Sequence, residues 1–528
     1  MAKSVLVVTN VFPPDIVGGA ELVAHRQAAM MAADGFVVSV FTACFQPADT
    51  APAAPISDIV DGMKVTRIGI PAVTLDRCHK RPEVEAEFAK VLRESMPDIV
   101  HFHNLPQLSA GLIPIARAAG ARTVVTLHDS WGFCLRQTQL RDGPTLCDDA
   151  RYCDLCMATV PDFLGDALPV RLRRDYVRWC LEQADQKLFP SKSLLNSYVI
   201  AGFAPERCTH LSNGVHLARF TPRRRDPHGY VNFLCIGTLN DHKGSRPLWD
   251  ALERLLVDPS LNGKWSMVIA GRGPLEAELQ ARFAAGRLRA PVEYVGFIAP
   301  PDVPQAYDRA DAVVLASICP EGQGLVLLEA MASGAAQIGS DIGGIPELIE
   351  DGASGFVCAP DNVDALESAM RKLILDPELV RRFSVRNLER RAQFDDAHTI
   401  SRLAAILGDH IAAPESALRP VVLCWGAPGS IAKDGAISCQ MRYLDDRLRL
   451  LWHEWVDSSV TPDLLCVFGE ELPAGALARL VLLKAPLIVP QGLLDLVPAP
   501  WRNLAHGYDS DTEALELMAR LAAPHMSR

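Results

Sequence analysis

The stretch Ala316-Ser-Ile-Cys-Pro-Glu321-Gly-Gln-Gly-Leu-Val-Leu-Leu-Glu329-Ala-Met-Ala-Ser-Gly334 carries the densest information in the chain. An apolar β-branched run ends near Ala316, a glycine-bearing loop holds Glu321 and Gly324, and a helical segment opens after it. The first turn of such a helix has backbone N–H groups with no intrahelical partner, and they point outward, where they attract an anion such as phosphate. Glu329 follows Glu321 by eight positions, about two helical turns if the helix reaches that far. Two carboxylates so spaced can line one extended ligand, one near its leading group and the other farther down.

Outward from this unit, short Val/Ile/Leu-rich runs alternate with longer segments of helical period, the pattern of a parallel sheet covered by helices. In the second half the runs are Tyr230 to Gly237, Trp265 to Ala270, Val292 to Gly296, Ala312 to Ala316 and Ala336 to Ser340. The first half repeats the design with Ser4 to Thr9, Val37 to Thr42, Asp98 to His103, Thr123 to Leu127 and Lys187 to Pro190, and a helix over Glu21 to Ala33. Pro-rich Thr50 to Pro55 reads as a loop, and Phe220 to Gly229, with Arg223-Arg-Arg225, as a connection whose like charges disfavour packing. The fold class expected is therefore α/β, with two Rossmann-like doubly wound domains facing a cleft and a small α/β appendage. The expected division is 1–222, with a Cys-rich insertion at 131–160, then 223–390, closing helices over 391–413, and an appendage of unreadable role at 414–528 that opens on the strand-like Val421-Val-Leu-Cys424.

A chain of 528 residues is too long for one core, and 49% hydrophobic content supports globular folding. Against 63 Asp and Glu stand 52 Lys and Arg, a formal charge of -11, which argues against a nucleic-acid partner. The run Val5-Leu-Val-Val8 is too short for a signal core or a membrane span, so a cytoplasmic protein is expected.

Several loops add to the central motif. Gly237-Thr-Leu-Asn-Asp-His-Lys243-Gly244 joins a strand to a helix and presents an ammonium suited to neutralising a phosphate. Ala270-Gly-Arg-Gly-Pro274 follows another strand with small residues that let backbone approach a ligand. In the first half Gly18-Gly19 lies between a strand and a helix, and Thr126-Leu-His128-Asp129 sets a histidine past a strand end, where ligands gather in open α/β sheets. His101 and His103 stand at a neighbouring strand end, where a structural role is the commoner one.

Together these motifs resemble glycosyltransferase family 4, retaining enzymes of GT-B fold whose signature is two glutamates separated by seven residues. The resemblance covers roughly residues 4 to 405. It implies transfer of a hexose-type sugar from a nucleotide diphosphate sugar to a saccharide or lipid-linked acceptor, in cell-surface glycan synthesis. By the same resemblance Lys243 neutralises the donor diphosphate, Glu321 holds hydroxyls of the donor sugar, Glu329 holds the ribose, and His128 contacts the transferring sugar. Backbone at Gln323, Gly324, Leu325 and Val326 meets sugar and phosphate, Gly18, Gly19, Gly271, Arg272 and Gly273 lie close to the donor, and Phe297 belongs to the segment holding the base. The family has Arg after the first glycine of the Lys243 loop where this chain has Thr238, so Arg246 or Arg272 is expected to supply that contact. Tyr307 is expected to pack. No Asp-x-Asp stands among these loops, so no cofactor is expected for catalysis.

Two features stand apart. Cys134, Cys147, Cys153 and Cys156 either close a tetrahedral structural zinc site or stand as unligated thiols. The basic aromatic segment Arg171-Leu-Arg-Arg-Asp-Tyr-Val-Arg-Trp179 reads as a solvated helix face, or as a peripheral contact with the inner membrane face. Two rival functions remain open at this level: a nucleotide-sugar epimerase-like GT-B enzyme and a non-catalytic GT-B binding module.

Overall fold

The computed structural model describes residues 3–15, 18–47, 50, 53–141, 145–147, 153, 156–161, 167–408, 421–425, 448–452, 456, 460, 462–468, 487–491, 497, 505–508 and 511–522. Three sheets organise them, parallel except for the antiparallel edge strand of the first. The first contains β1 (Ser4–Val8), β2 (Val37–Gln46), β3 (Ala53–Val60), β4 (Met63–Pro71), β5 (Ile99–Phe102), β6 (Arg122–Thr126), β9 (Gln186–Phe189) and β10 (Cys208–His210), in the order β10-β9-β6-β5-β1-β2-β4-β3. A separate antiparallel ribbon, β7 (Thr159–Pro161) with β8 (Ala167–Pro169), lies between β6 and β9 in sequence. The second sheet contains β11 (Val231–Ile236), β12 (Trp265–Ala270), β13 (Val292–Gly296), β14 (Ala312–Leu315), β15 (Ala336–Ser340) and β16 (Gly355–Cys358), in the order β13-β12-β11-β14-β15-β16. Five helices matter below: α1 (Gly19–Ala33), α2 (Val170–Glu182), α3 (Ser245–Leu256), α4 (Leu325–Ser333) and α5 (Asp396–Gly408).

The second sheet's order is the 3-2-1-4-5-6 winding of dinucleotide-binding folds, which opens a crevice at the carboxyl ends of β11 and β14, where the winding reverses. The first sheet reverses between β1 and β5. These two points position the loops singled out in the sequence. At the strand ends the chain crosses between the units: Val215 N donates to Phe394 O at 2.8 Å and Asp396 N to Val215 O at 3.2 Å.

The sequence expectation for Thr50 to Pro55 is corrected, because β3 begins at Ala53. This is the exposed edge strand, paired antiparallel with β4 through an irregular register between Ala53 and Ile56, and an edge tolerates Pro55 because no ladder hydrogen bond is needed there. The expectation for Arg223-Arg-Arg225 is also corrected. Arg225 is fully buried, and its guanidinium donates to the carbonyls of Tyr307, Asp308 and Ser333, which replace the water a charged group would otherwise require.

The region beyond 413 forms a third sheet from β17 (Val421–Trp425), β18 (Arg449–Trp452), β19 (Leu464–Val467), β20 (Leu487–Pro490) and β21 (Ala505–Tyr508), ordered β18-β17-β19-β20-β21 and parallel throughout. Its apolar strands join one continuous core with Phe41, Phe88, Phe102 and Leu172 of the first sheet's unit. Helix α2 lies at that junction, and this overturns both readings of Arg171 to Trp179 as a solvated or membrane-facing surface. Arg171, Arg173, Arg174 and Arg178 are all buried. Asp175 takes ion pairs from Arg171 and Arg174 at 3.2 Å and accepts from Leu450 N at 3.1 Å. Arg449 grips Glu182 with Nε at 3.1 Å and Nη2 at 2.7 Å. Burial alone would raise the Asp175 carboxyl, but the surrounding guanidinium groups hold it well below the ordinary carboxylate range. Among the described residues no helix is long and apolar enough to cross a membrane.

Candidate active site

The loop after β11 runs from Gly237 to α3 and is shaped by backbone that only glycine permits. Gly244 has φ +70°, and a Cβ there would lie 1.8 Å from Ala316 O, at the end of β14. Gly271, with φ +133°, would bring a Cβ to 1.8 Å from Gly237 O. The three loops after β11, β12 and β14 are thus pressed together, and Ile318 N donates to His242 O at 2.9 Å. This packing delivers Lys243 to Glu321, with Nζ 2.6 Å from Oε1. Ser317 Oγ donates to the same carboxylate oxygen at 2.5 Å. Burial raises the Glu321 carboxyl and lowers the Lys243 ammonium, yet their mutual attraction outweighs burial in both, so Glu321 sits below and Lys243 above its usual range. The pair is charged at neutral pH.

Helix α4 starts at left-handed Gly324 with no side-chain cap on its first N–H groups. A little over one turn on, Glu329 Oε2 accepts from Tyr307 OH at 2.9 Å and Oε1 lies 3.7 Å from Arg26 Nη2 of α1. Burial lifts the Glu329 carboxyl, with Arg26 and Tyr307 pulling against it.

The first sheet's loops close over this constellation. A Cβ on Gly322 would lie 2.1 Å from His128 O, so the loop carrying Glu321 touches the backbone after β6 directly. His128 Nε2 shares a hydrogen bond with His103 Nδ1 at 3.1 Å, the two rings stacked at 5.4 Å between centroids. Burial lowers His128 to about 4 and His101 to about 3, so both are neutral at pH 7. Asp129 goes the other way, pushed up to about 6 by burial. At the start of α1, Glu21 accepts from Gly18 N and from Asn104 Nδ2, each at 2.8 Å.

The structure therefore brings Gly19, His128, Lys243, Glu321, Gly324, Leu325 and Glu329 to one cleft, and it distributes the others unevenly. The Gln323 side chain turns to the crossover segment, its Oε1 accepting from Asn213 N at 2.8 Å and its Nε2 donating to Ser212 Oγ. Arg246 is engaged by Glu278 at 2.7 Å and by Asp241, which leaves it ill placed to stand in for the arginine absent at Thr238. Thr238, Arg272 and Phe297 are exposed, beside the half-buried Gly273. The sequence gives no role here to Arg26, Ser317 or Glu21 and marks Tyr307 only to pack; Ser317 acquires its place within the Glu321 loop itself, and the other three through contacts with segments distant in sequence.

The four clustered cysteines are partly buried. Among the described residues, no three His, Cys, Asp or Glu side chains gather as a metal would require. Burial pushes the Cys153 thiol up to about 12 and raises Cys134, against the opposing pull of nearby buried arginines.

Two family models match the chain: Glycosyltransferase Family 4 over residues 17–219 and Glycosyl transferases group 1 over residues 221–390. The chain belongs to glycosyltransferase family 4. The glycogen synthase of Mycobacterium tuberculosis is 27% identical to this glycosyltransferase over 397 residues, covering 72% of this chain and 87% of that one. Among solved structures, a sucrose-phosphate synthase from Thermosynechococcus elongatus superposes with a TM-score of 0.58 at 19% identity, covering 76% of this chain and 98% of that one. Anabaena HepE in complex with UDP-glucose superposes at 0.54 and 17% identity, covering 77% and 99%. The likeness establishes the GT-B fold for this transferase, and the third sheet extends beyond the family models.

Proposed function

We propose that this transferase moves a hexose from a nucleoside diphosphate sugar to a saccharide or lipid-linked acceptor, with retention at the anomeric carbon, in cell-surface glycan synthesis. The observation that carries the reading is the charged Lys243–Glu321 pair, held where the second sheet reverses its winding and covered by the backbone of His128. A diphosphate entering there meets an ammonium and the uncapped N–H groups of α4, while the sugar lies between Glu321 and neutral His128. Glu329 takes the ribose. Residues 1–222 then serve the acceptor and 223–390 the donor. HepE, which shares the fold, is described in complex with UDP-glucose, consistent with a nucleotide sugar as donor.

The step needs no protein nucleophile. The bond from the anomeric carbon to the β-phosphate oxygen breaks, the acceptor oxygen forms its bond on the same face, and the acceptor proton passes to the departing phosphate oxygen. Lys243 stabilises the charge that grows on that oxygen. Glu321 and His128 orient the sugar by hydrogen bonds, and the closely apposed domains hinder water. A thermal-shift screen against UDP-, ADP- and GDP-sugars tests this: a true donor at a hundred times its dissociation constant adds about 2.7 kcal/mol. Failure of every nucleotide sugar to stabilise the chain would refute it.

A further inference from the structure

Helices α1 and α4 meet across the cleft at two places. A Cβ on Gly19 would lie 2.8 Å from Leu325 Cδ1, and seven residues farther along α1, Arg26 Nη2 lies 3.7 Å from Glu329 Oε1, four residues farther along α4. The sugar-to-nucleoside axis assigned to α4 is thus matched by α1, whose start faces the phosphates and whose second turn faces the ribose. Arg26 is largely buried, and its Nη1 has no hydrogen-bond partner among the described residues. A buried guanidinium N–H left unpaired is costly, and its natural remedy is an acceptor arriving at the same spot. Glu329 has the complementary surplus, since among the described residues the lone pairs of its two oxygens are met by Tyr307 OH and by Arg26 at 3.7 Å. Beside Arg26 a small cavity lined by Gln27, Gly214, Asp396 and Thr399 gives the side chain room to shift.

We propose that Arg26 is a donor-binding residue supplied by the opposite domain, gripping the ribose hydroxyls of the nucleotide together with Glu329. A hydroxyl is both donor and acceptor, so one ribose satisfies the carboxylate and the orphaned guanidinium N–H at once. A ribose held by both side chains then links the two domains. This rests on the assignment of Glu329 to the ribose.

The test is titration calorimetry on the full chain. UDP, ADP and GDP identify the base, and the matching 2′,3′-dideoxynucleoside diphosphate serves as the probe without hydroxyls. The wild type should bind the ribonucleotide about tenfold or more tightly than the dideoxy form, the scale of hydrogen bonds to charged groups. Arg26→Met should remove most of that preference while leaving dideoxy affinity within about twofold, and Arg26→Lys should restore part of it. A variant that weakens both nucleotides alike, or neither, overturns the proposal, because a merely structural contact does not sense the hydroxyls. Loss of the preference in Glu329→Gln but not in Arg26→Met overturns Arg26 alone. Its survival in both variants overturns the ribose assignment as well.

Discussion

Replacing Lys243 with Met separates the charge on this side chain from its packing. Lys243 is one-third exposed, so the loss of its contact with Glu321 has a modest effect on folding, while the loss of charge at the departing diphosphate is felt in the chemistry. One charge-assisted contact to the bound diphosphate is worth about 1.5–3 kcal/mol, which predicts a donor Kd weakened by about tenfold to a hundredfold. The oxygen that Lys243 faces gains charge as the sugar leaves, so kcat should fall further, by about a hundredfold to a thousandfold. A second effect has a defined sign. The folded-state pKa of Glu321 is depressed, so its contribution to stability is present above the unfolded value and is lost as pH falls through the lower folded one. Without Lys243, burial is opposed only by the Ser317 hydroxyl and by His242, so the carboxyl rises from its depressed position and acid sensitivity of donor binding should begin at higher pH. Nucleotide release in the presence of acceptor, measured from pH 5 to pH 8, reads both effects. A Lys243→Met variant with wild-type kcat, or with a pH profile unmoved, would refute the reasoning.

Other substitutions test the scaffold. Gly244→Ala combines a left-handed backbone with a Cβ driven against Ala316 O, so it should cost at least about 2 kcal/mol and lower Tm by several degrees, with loss of activity; unchanged unfolding would contradict the tight loop packing. Arg449→Met removes the bidentate partner of Glu182 and should destabilise the seat of the third sheet by about 3–5 kcal/mol, seen as faster proteolysis within residues 414–528; protection equal to the wild type would show that the pair does not hold it. His101 and His128 have folded pKa values near 3 and 4, below the ordinary histidine value, so stability should be intact above about pH 6.5 and fall as pH drops toward 4. His101→Gln should flatten that slope in pH-dependent melting, and an unaltered slope would contradict the assignment.

Much of this architecture was legible locally. The runs Trp265–Ala270, Val292–Gly296 and Ala336–Ser340 appear as β12, β13 and β15 with the same limits; β12 and β15 lie inside the sheet as largely buried parallel strands bounded by turn residues, and β13 is its part-exposed edge. The Ala316–Gly334 stretch likewise begins just past the end of β14 and forms a loop and then a helix, as its pattern indicates. What escaped is non-local. The β3–β4 hairpin is half exposed and carries proline, so its signal is that of a loop, and only pairing to β2 reveals a sheet edge. The arginines of α2 look like a solvated face because the third sheet that buries them lies more than two hundred residues away in sequence. Arg26 and Tyr307 carry no motif, and nothing short of the folded cleft links them to Glu329.

The most direct measurement of the central claim is a crystal structure of the full chain with its nucleotide sugar bound. In that structure the diphosphate oxygens should lie within hydrogen-bonding distance of Lys243 Nζ and the first N–H groups of α4, the hexose against Glu321 and His128, and the ribose on Glu329. A nucleotide seated elsewhere, with the Lys243–Glu321 pair undisturbed and solvent in the cleft, would contradict it.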